Sequence, residues 1–199
     1  MLNEKNLETL FKSNLLQNIQ YLKLPRNSLG NKGIEKLFQV TGTRFGLIKK
    51  IDLSSNNIIG EDGARIIASS NSFPNLESLD LRFNKIGSLG FKILVQSTNY
   101  LRLLYLKIDN NKLEDTGAQQ LGQICNLQTL QTLKIRNNQI EVKGTQFLAT
   151  SYAMRNLTIL DMSQNQIMDD GFKFLTTASY LSNLHKLFVN DCGLTEKAA

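Results

Sequence analysis

The chain has 199 residues, 41% of them hydrophobic, and carries 23 Lys and Arg against 17 Asp and Glu, for a formal charge of +6. That length suits one soluble globular domain, and no apolar run is long enough to span a membrane. One histidine (His185) and two cysteines (Cys125, Cys192), with no Cys-x-x-Cys pair, leave too few ligands for a metal site and no base to activate a nucleophile, so no cofactor, metal or catalytic residue is expected.

In chain order, residues 1–14 are polar, with Glu4, Lys5, Glu8 and Lys12, and lack the apolar core of a signal peptide. The spacing of Leu2, Leu7, Leu10, Phe11 and Leu15 predicts an amphipathic helix, read as a cap over residues 1–18. From residue 19 to about 194 one pattern recurs seven times. Its asparagine column runs Asn27, Asn56, Asn84, Asn111, Asn138 and Asn165, with Cys192 in the seventh place, at successive spacings of 29, 28, 27, 27, 27 and 27. Five residues before each lies an apolar side chain (Leu22, Ile51, Leu79, Leu106, Leu133, Leu160, Leu187), three before another, and two after another, including Ile58. A fixed period of this length marks a solenoid, in which each unit buries its apolar face only against its neighbours.

Within each unit the hydrophobic period changes from two to three and four. Leu79 and Leu81 alternate with Ser78, Asp80 and Arg82 as in a short strand, and a glycine then opens a helix at Gly33, Gly63, Gly90, Gly117, Gly144 and Gly171. Phe91, Leu94 and Val95, or Phe172, Leu175 and Thr176, form the inward face of that helix. The Gly-x-x-Gly pairs at 30–33, 60–63 and 87–90 are read as turns, not as clamps on nucleic acid. The acidic pairs Glu61-Asp62, Glu114-Asp115 and Asp169-Asp170 are read as helix N-terminal charges, not as catalysts or calcium ligands. Asn156-Leu157-Thr158 has the form of a glycosylation acceptor, but Leu157 is a core position. Asn27, Asn56, Asn84, Asn111, Asn138 and Asn165 are expected to form a ladder satisfying backbone groups of adjacent turns. Residues 194–199 read as the opening of a further outer helix that stops before its buried leucine. Continuation into a longer protein, or self-association through this end, is expected.

Segments such as Ile51-Asp52-Leu53-Ser54-Ser55-Asn56-Asn57, followed by Gly60-Glu61-Asp62-Gly63-Ala64, resemble the ribonuclease-inhibitor-like subclass of leucine-rich repeat proteins over about residues 19–194. The resemblance implies an α/β fold of one domain, residues 1–199. This is a right-handed solenoid or horseshoe of seven repeats, the last incomplete, with a parallel β-sheet on the concave face and α-helices on the convex face. It also implies a protein partner docked on the concave face. Two other roles known within such repeats are an activator of a GTPase and the sensor or effector arm of a larger signalling or host-interaction protein. The first is disfavoured because the chain has few repeats and no acidic tail.

Residues two, four and six places before the asparagine column should face the concave side. They interleave Lys23, Lys50, Arg82, Lys107, Lys134, Arg136 and Lys186 with Asp52, Asp80, Asp109 and Asp161. Mixed signs select a complementary protein surface over a uniform phosphate backbone, so neither nucleic acid nor a membrane is expected as partner, and no small-molecule substrate is. The expected contact residues are Asp80, Arg82, Tyr105, Lys107, Asp109, Lys134 and Arg136 at mid-arc, flanked by Ile159, Asp161 and Phe188. Two cysteines at small or polar repeat positions point to a reducing compartment, the cytoplasm, or a host's cytoplasm for a bacterial effector.

Overall fold

The computed structural model describes residues 6, 7, 9, 10, 13–39, 45–56, 60–123 and 126–198. Leu2, Phe11, Ile58 and Cys125, together with the side chain of Leu15, lie outside the described residues.

Seven three-residue strands form one parallel sheet in strict chain order: β1 Tyr21–Lys23, β2 Lys50–Asp52, β3 Ser78–Asp80, β4 Tyr105–Lys107, β5 Thr132–Lys134, β6 Ile159–Asp161 and β7 Lys186–Phe188. The middle residue of each strand is the leucine or isoleucine that recurs five places before the ladder position, and these pair in register from Leu22 through Ile51, Leu79, Leu106, Leu133 and Leu160 to Leu187. Because side chains alternate along a strand, one aligned apolar position per repeat sends an unbroken column inward and leaves its neighbours on the open face.

The return path of each unit carries a helix: α1 Gly30–Phe38, α2 Glu61–Ser69, α3 Gly87–Val95, α4 Glu114–Gln123, α5 Val142–Ala149 and α6 Met168–Thr176. Their buried residues follow the three-and-four spacing, as in Ile34, Leu37 and Phe38 or Phe91, Leu94 and Val95. The last helix departs from the expected pattern. Leu175 is buried, but Phe172 is half-buried and Thr176 exposed, because among the described residues only the short turn Glu196–Ala198 follows on the outer side of α6. At the other end, residues 6, 7, 9 and 10 are helical, and Leu7 is buried beside Gly33 of α1.

The turn between strand and helix is held by the asparagine column. Asn56 Oδ1 accepts the N–H groups of Asn27 and Leu29 at 3.1 and 3.4 Å, while its Nδ2 donates to the carbonyls of Leu24 and Leu53 at 3.0 and 2.8 Å. Asn84, Asn111, Asn138 and Asn165 repeat the arrangement, each Oδ1 accepting the N–H of the preceding ladder residue at 2.9 to 3.2 Å. Asn27 stands apart: it is half-buried, and its Nδ2 bonds Pro25 O. At the seventh place the buried Cys192 thiol reaches Met162 O at 3.4 Å. The residue just before each ladder position has a left-handed backbone, for example Phe83 at φ 58° and Asn110 at φ 59°.

A second set of bonds ties the ends of α1 to α4 to the next unit. Ser72 Oγ donates to Phe38 O at 2.9 Å, Ser97 Oγ and Asn99 Nδ2 to Ala68 O at 2.6 and 2.9 Å, and Asn126 Nδ2 to Gln96 O at 2.7 Å. Tyr100 OH and Ser151 Oγ bond Ile67 O and Leu121 O in the same sense. The acidic residues in the first turns of the helices do more than meet a helix N-terminus. Asp115 Oδ1 accepts the N–H of Glu141 at 2.7 Å, and Asp169 accepts the N–H and hydroxyl of Thr195, which hold its carboxyl below the usual carboxylate range.

Candidate functional site

The open face of the sheet displays three residues per repeat in columns running across the strands. The column nearest the strand starts reads Tyr21, Lys50, Ser78, Tyr105, Thr132, Ile159, Lys186, and holds no carboxylate. The next reads Lys23, Asp52, Asp80, Lys107, Lys134, Asp161, Phe188, and the third includes Ser54, Arg82, Asp109 and Arg136.

The carboxylates of this face are engaged within the protein. Asp52 Oδ1 accepts the Ser54 N–H and hydroxyl at 2.9 and 2.6 Å. Asp80 is buried and takes Arg82 bidentately, Nε on Oδ1 at 2.8 Å and Nη2 on Oδ2 at 2.8 Å, with the Lys107 ammonium at 3.9 Å. This fork-to-carboxylate pairing raises the Arg82 pKa further above its ordinary range. Asp109 is buried too and accepts the Arg136 N–H at 2.9 Å; burial pushes its carboxyl upward. Asp161 accepts the Ser163 N–H at 3.1 Å. An aspartate that bonds its own backbone two residues on is a turn-forming device.

The cations and aromatics stand above this base. Tyr21 is 52% exposed, Tyr105 36% and Phe188 40%. Arg136 is exposed and its Nε donates to Gln164 Oε1 at 3.0 Å, while Lys107, Lys134, Ile159 and Asp161 are half-buried. The Lys50 ammonium lies 5.0 Å from the centre of the Tyr21 ring.

A concavity of about 660 Å³ opens over β1 to β4, lined by Tyr21, Lys23, Lys50, Asp80, Arg82, Tyr105 and Lys107 among others. Of the residues expected from the sequence, it brings together Asp80, Arg82, Tyr105 and Lys107, and its lining does not include Asp109, Lys134, Arg136, Ile159, Asp161 and Phe188. It adds Tyr21, Lys50 and Ser78, which an argument from mid-arc position passes over; the signal available in the sequence was the tyrosine recurring in one column at β1 and β4. A smaller polar concavity of about 440 Å³ lies on the strand-entry edge around Gln131, Thr158 and His185.

An open parallel sheet backed by helices, with aligned leucines inside and an asparagine at every turn, defines a leucine-rich repeat solenoid. The family described as Leucine Rich repeat matches residues 47–68, 74–92, 126–149 and 153–175. No curated protein sequence matches the chain. Among solved structures it is similar to one from the yeast Rad7 and Elc1 complex, with TM-score 0.65 and 20% identity over 99% of this chain and 48% of that one. It is also similar to InlP of Listeria monocytogenes, with TM-score 0.59 and 16% identity over 90% of this chain and 45% of that one. A third similarity is to the TLR13–ssRNA13 complex, with TM-score 0.55 and 18% identity over 90% of this chain and 26% of that one. The chain therefore spans about half or less of the length of these proteins. Leucine-rich repeat folds are generally non-catalytic scaffolds for protein binding. Among the described residues no helix is long and apolar enough to cross a membrane.

Proposed function

We propose that this chain is a protein-interaction module without catalysis of its own, which docks a partner protein on the concave face of its sheet. The observation that carries the reading is the division of labour on that face. Its aspartates hold turns and Arg82, while tyrosines, lysines and Arg136 project from a backbone fixed by the asparagine column. Such pre-organised aromatic and cationic groups are what interface anchors require, since little freedom is lost when they bind. Neighbours of the same fold occur in complexes, one with a protein and one with RNA. Mixed charge favours the protein. The repeat spacing of 27 to 29 residues, with a full helix in most units, supports the ribonuclease-inhibitor-like subclass, and the buried free thiol of Cys192 fits a reducing compartment.

The test is affinity capture with the native chain beside an Arg82→Glu, Lys107→Glu, Arg136→Glu variant and a convex control, Lys92→Glu, Lys173→Glu. Partners retained by the control and lost by the concave variant are the expected result. Partners lost only by the control would move the site to the helices and overturn the reading.

A further inference from the structure

The N-terminal half of the concave face is unbalanced in a way that charge counts hide. Of its acids, Asp80 is used by Arg82 and the buried Asp109 by the Arg136 N–H, while Asp52 bonds Ser54 through Oδ1. What remains open to a ligand is almost entirely donor. The Lys23 ammonium makes no ion pair among the described residues, Lys107 has only a long contact to Asp80 at 3.9 Å, and Lys50 rests on the Tyr21 ring. The hydroxyls of Tyr21 and Tyr105 add two groups able to donate. Unpaired donors and cations around an open concavity call for an acceptor-rich, anionic ligand.

Shape and spacing narrow its class. Four strands at roughly 4.8 Å apart span about 14 Å, which an extended peptide of about four residues covers. The strand-start column offers Tyr21 and Tyr105 at its two ends with Lys50 and Ser78 between, so aromatic contacts bracket the charge. A phosphodiester chain carries a charge at every nucleotide and cannot omit one beside Asp52, a half-buried carboxylate bonded through Oδ1 alone among the described residues. A peptide can set its carboxylates at the lysines and present neutral side chains elsewhere.

We infer that the β1 to β4 half of the concave face takes an extended acidic segment of its protein partner, with carboxylates at Lys23, Lys50 and Lys107 and neutral side chains against Tyr21 and Tyr105. This rests on the concave face being the docking surface and specifies what it docks.

The test selects random twelve-residue peptides displayed on phage against the intact chain, and measures the enriched peptides by fluorescence anisotropy. The expected pool is rich in Asp and Glu, and its affinity falls at least tenfold for Lys50→Glu, Lys107→Glu and for Tyr105→Ala, but not for Lys92→Glu. Because a charge reversal could disturb folding, Lys50→Gln, Lys107→Gln is measured beside it, with circular dichroism for both; a smaller loss of the same sign is expected. A pool without acidic enrichment, or an acidic pool bound equally by the lysine variants, overturns the inference. If such a pool is nonetheless lost with Arg136→Glu, the concave face still docks protein and only the acidic class falls. Displacement of the acidic pool by an equimolar uridine dodecamer would assign the same donors to nucleic acid and overturn it likewise.

Discussion

At the scale of single residues, the asparagine column and the concave aspartates do related work, since both spend side-chain polarity on backbone groups. Asn111 and Asn138 are fully buried and each bonds backbone on both sides, so removing the amide strands several partners at once. Asn111→Ala or Asn138→Ala is expected to cost about 1–3 kcal/mol in a urea titration, the range for leaving buried polar groups unmade. Cys192→Ala should cost less, because its thiol makes only weak bonds at the end of the sheet; equal losses at all three positions would show that the amides act merely by filling space. Asp109 offers a titration test. Burial raises its folded pKa above the ordinary value of 3.8, so the folded state binds the proton more tightly than the unfolded one, and this group lowers stability as pH rises through the acid range. Asp109→Asn keeps an oxygen for the Arg136 N–H and removes the charge. Its stability relative to the native chain should therefore increase from pH 3 towards neutrality, and a difference independent of pH would contradict the account.

At the scale of elements, adjacent repeats touch so closely that a glycine decides the distance between two helices. A Cβ on Gly144 of α5 would collide with Asp115 Oδ1 of α4 and stand 2.8 Å from Ile140 Cγ2 and 3.0 Å from Asp115 Cα. Gly144→Ala must therefore push α5 from α4, and a loss of about 1–3 kcal/mol is expected by thermal or denaturant melting. Gly60→Ala, whose nearest neighbour among the described residues would be Lys85 O at 3.9 Å, should stay within about 0.5 kcal/mol of the native chain. These elements were the legible part of the sequence: the register of Leu22 to Leu187 and the inward faces of α1 and α3 follow from spacing alone. Other features were not legible, for a physical reason. That Asp80 and Asp109 are buried goes with partners from the following repeat, Lys107 for the first and the Arg136 N–H for the second, which no single repeat reveals. The half-exposed Phe172 depends on what does not pack outside α6. The concavity centres on β1 to β4 because Tyr21 and Tyr105 wall it there, whereas position along the arc pointed to its middle.

At the scale of the whole molecule, the site is a surface and its energetics should read as one. Tyr105→Ala and Arg136→Ala are each expected to weaken a true partner by about 2 kcal/mol if they anchor it, against little change for Lys92→Ala and Lys173→Ala on α3 and α6. Added salt should slow association through the lysines, whereas the alanine variants should speed dissociation; surface plasmon resonance separates the two. Order along the stack should be uneven as well. Leu184, Leu187, Val189 and Leu194 are only partly buried, and β7 pairs on one side alone, so its amides should exchange with solvent sooner than those of β3 to β5. Uniform protection across the seven strands would refute this. The one-way sense of the ladder has a mechanical consequence. The turn N–H groups of the first five repeats are received by the asparagine of the repeat that follows, 25 to 29 residues on, so each of these units is latched by its successor, whereas the sixth is followed by Cys192. Drawn out between its ends, the solenoid should unspool from β7 backwards, each release unlatching the unit before it. In an optical trap this would give a train of similar steps of about 90 Å, the extended length of some 27 residues, and the shortening stack would keep its amino-terminal concavity until the final pulls.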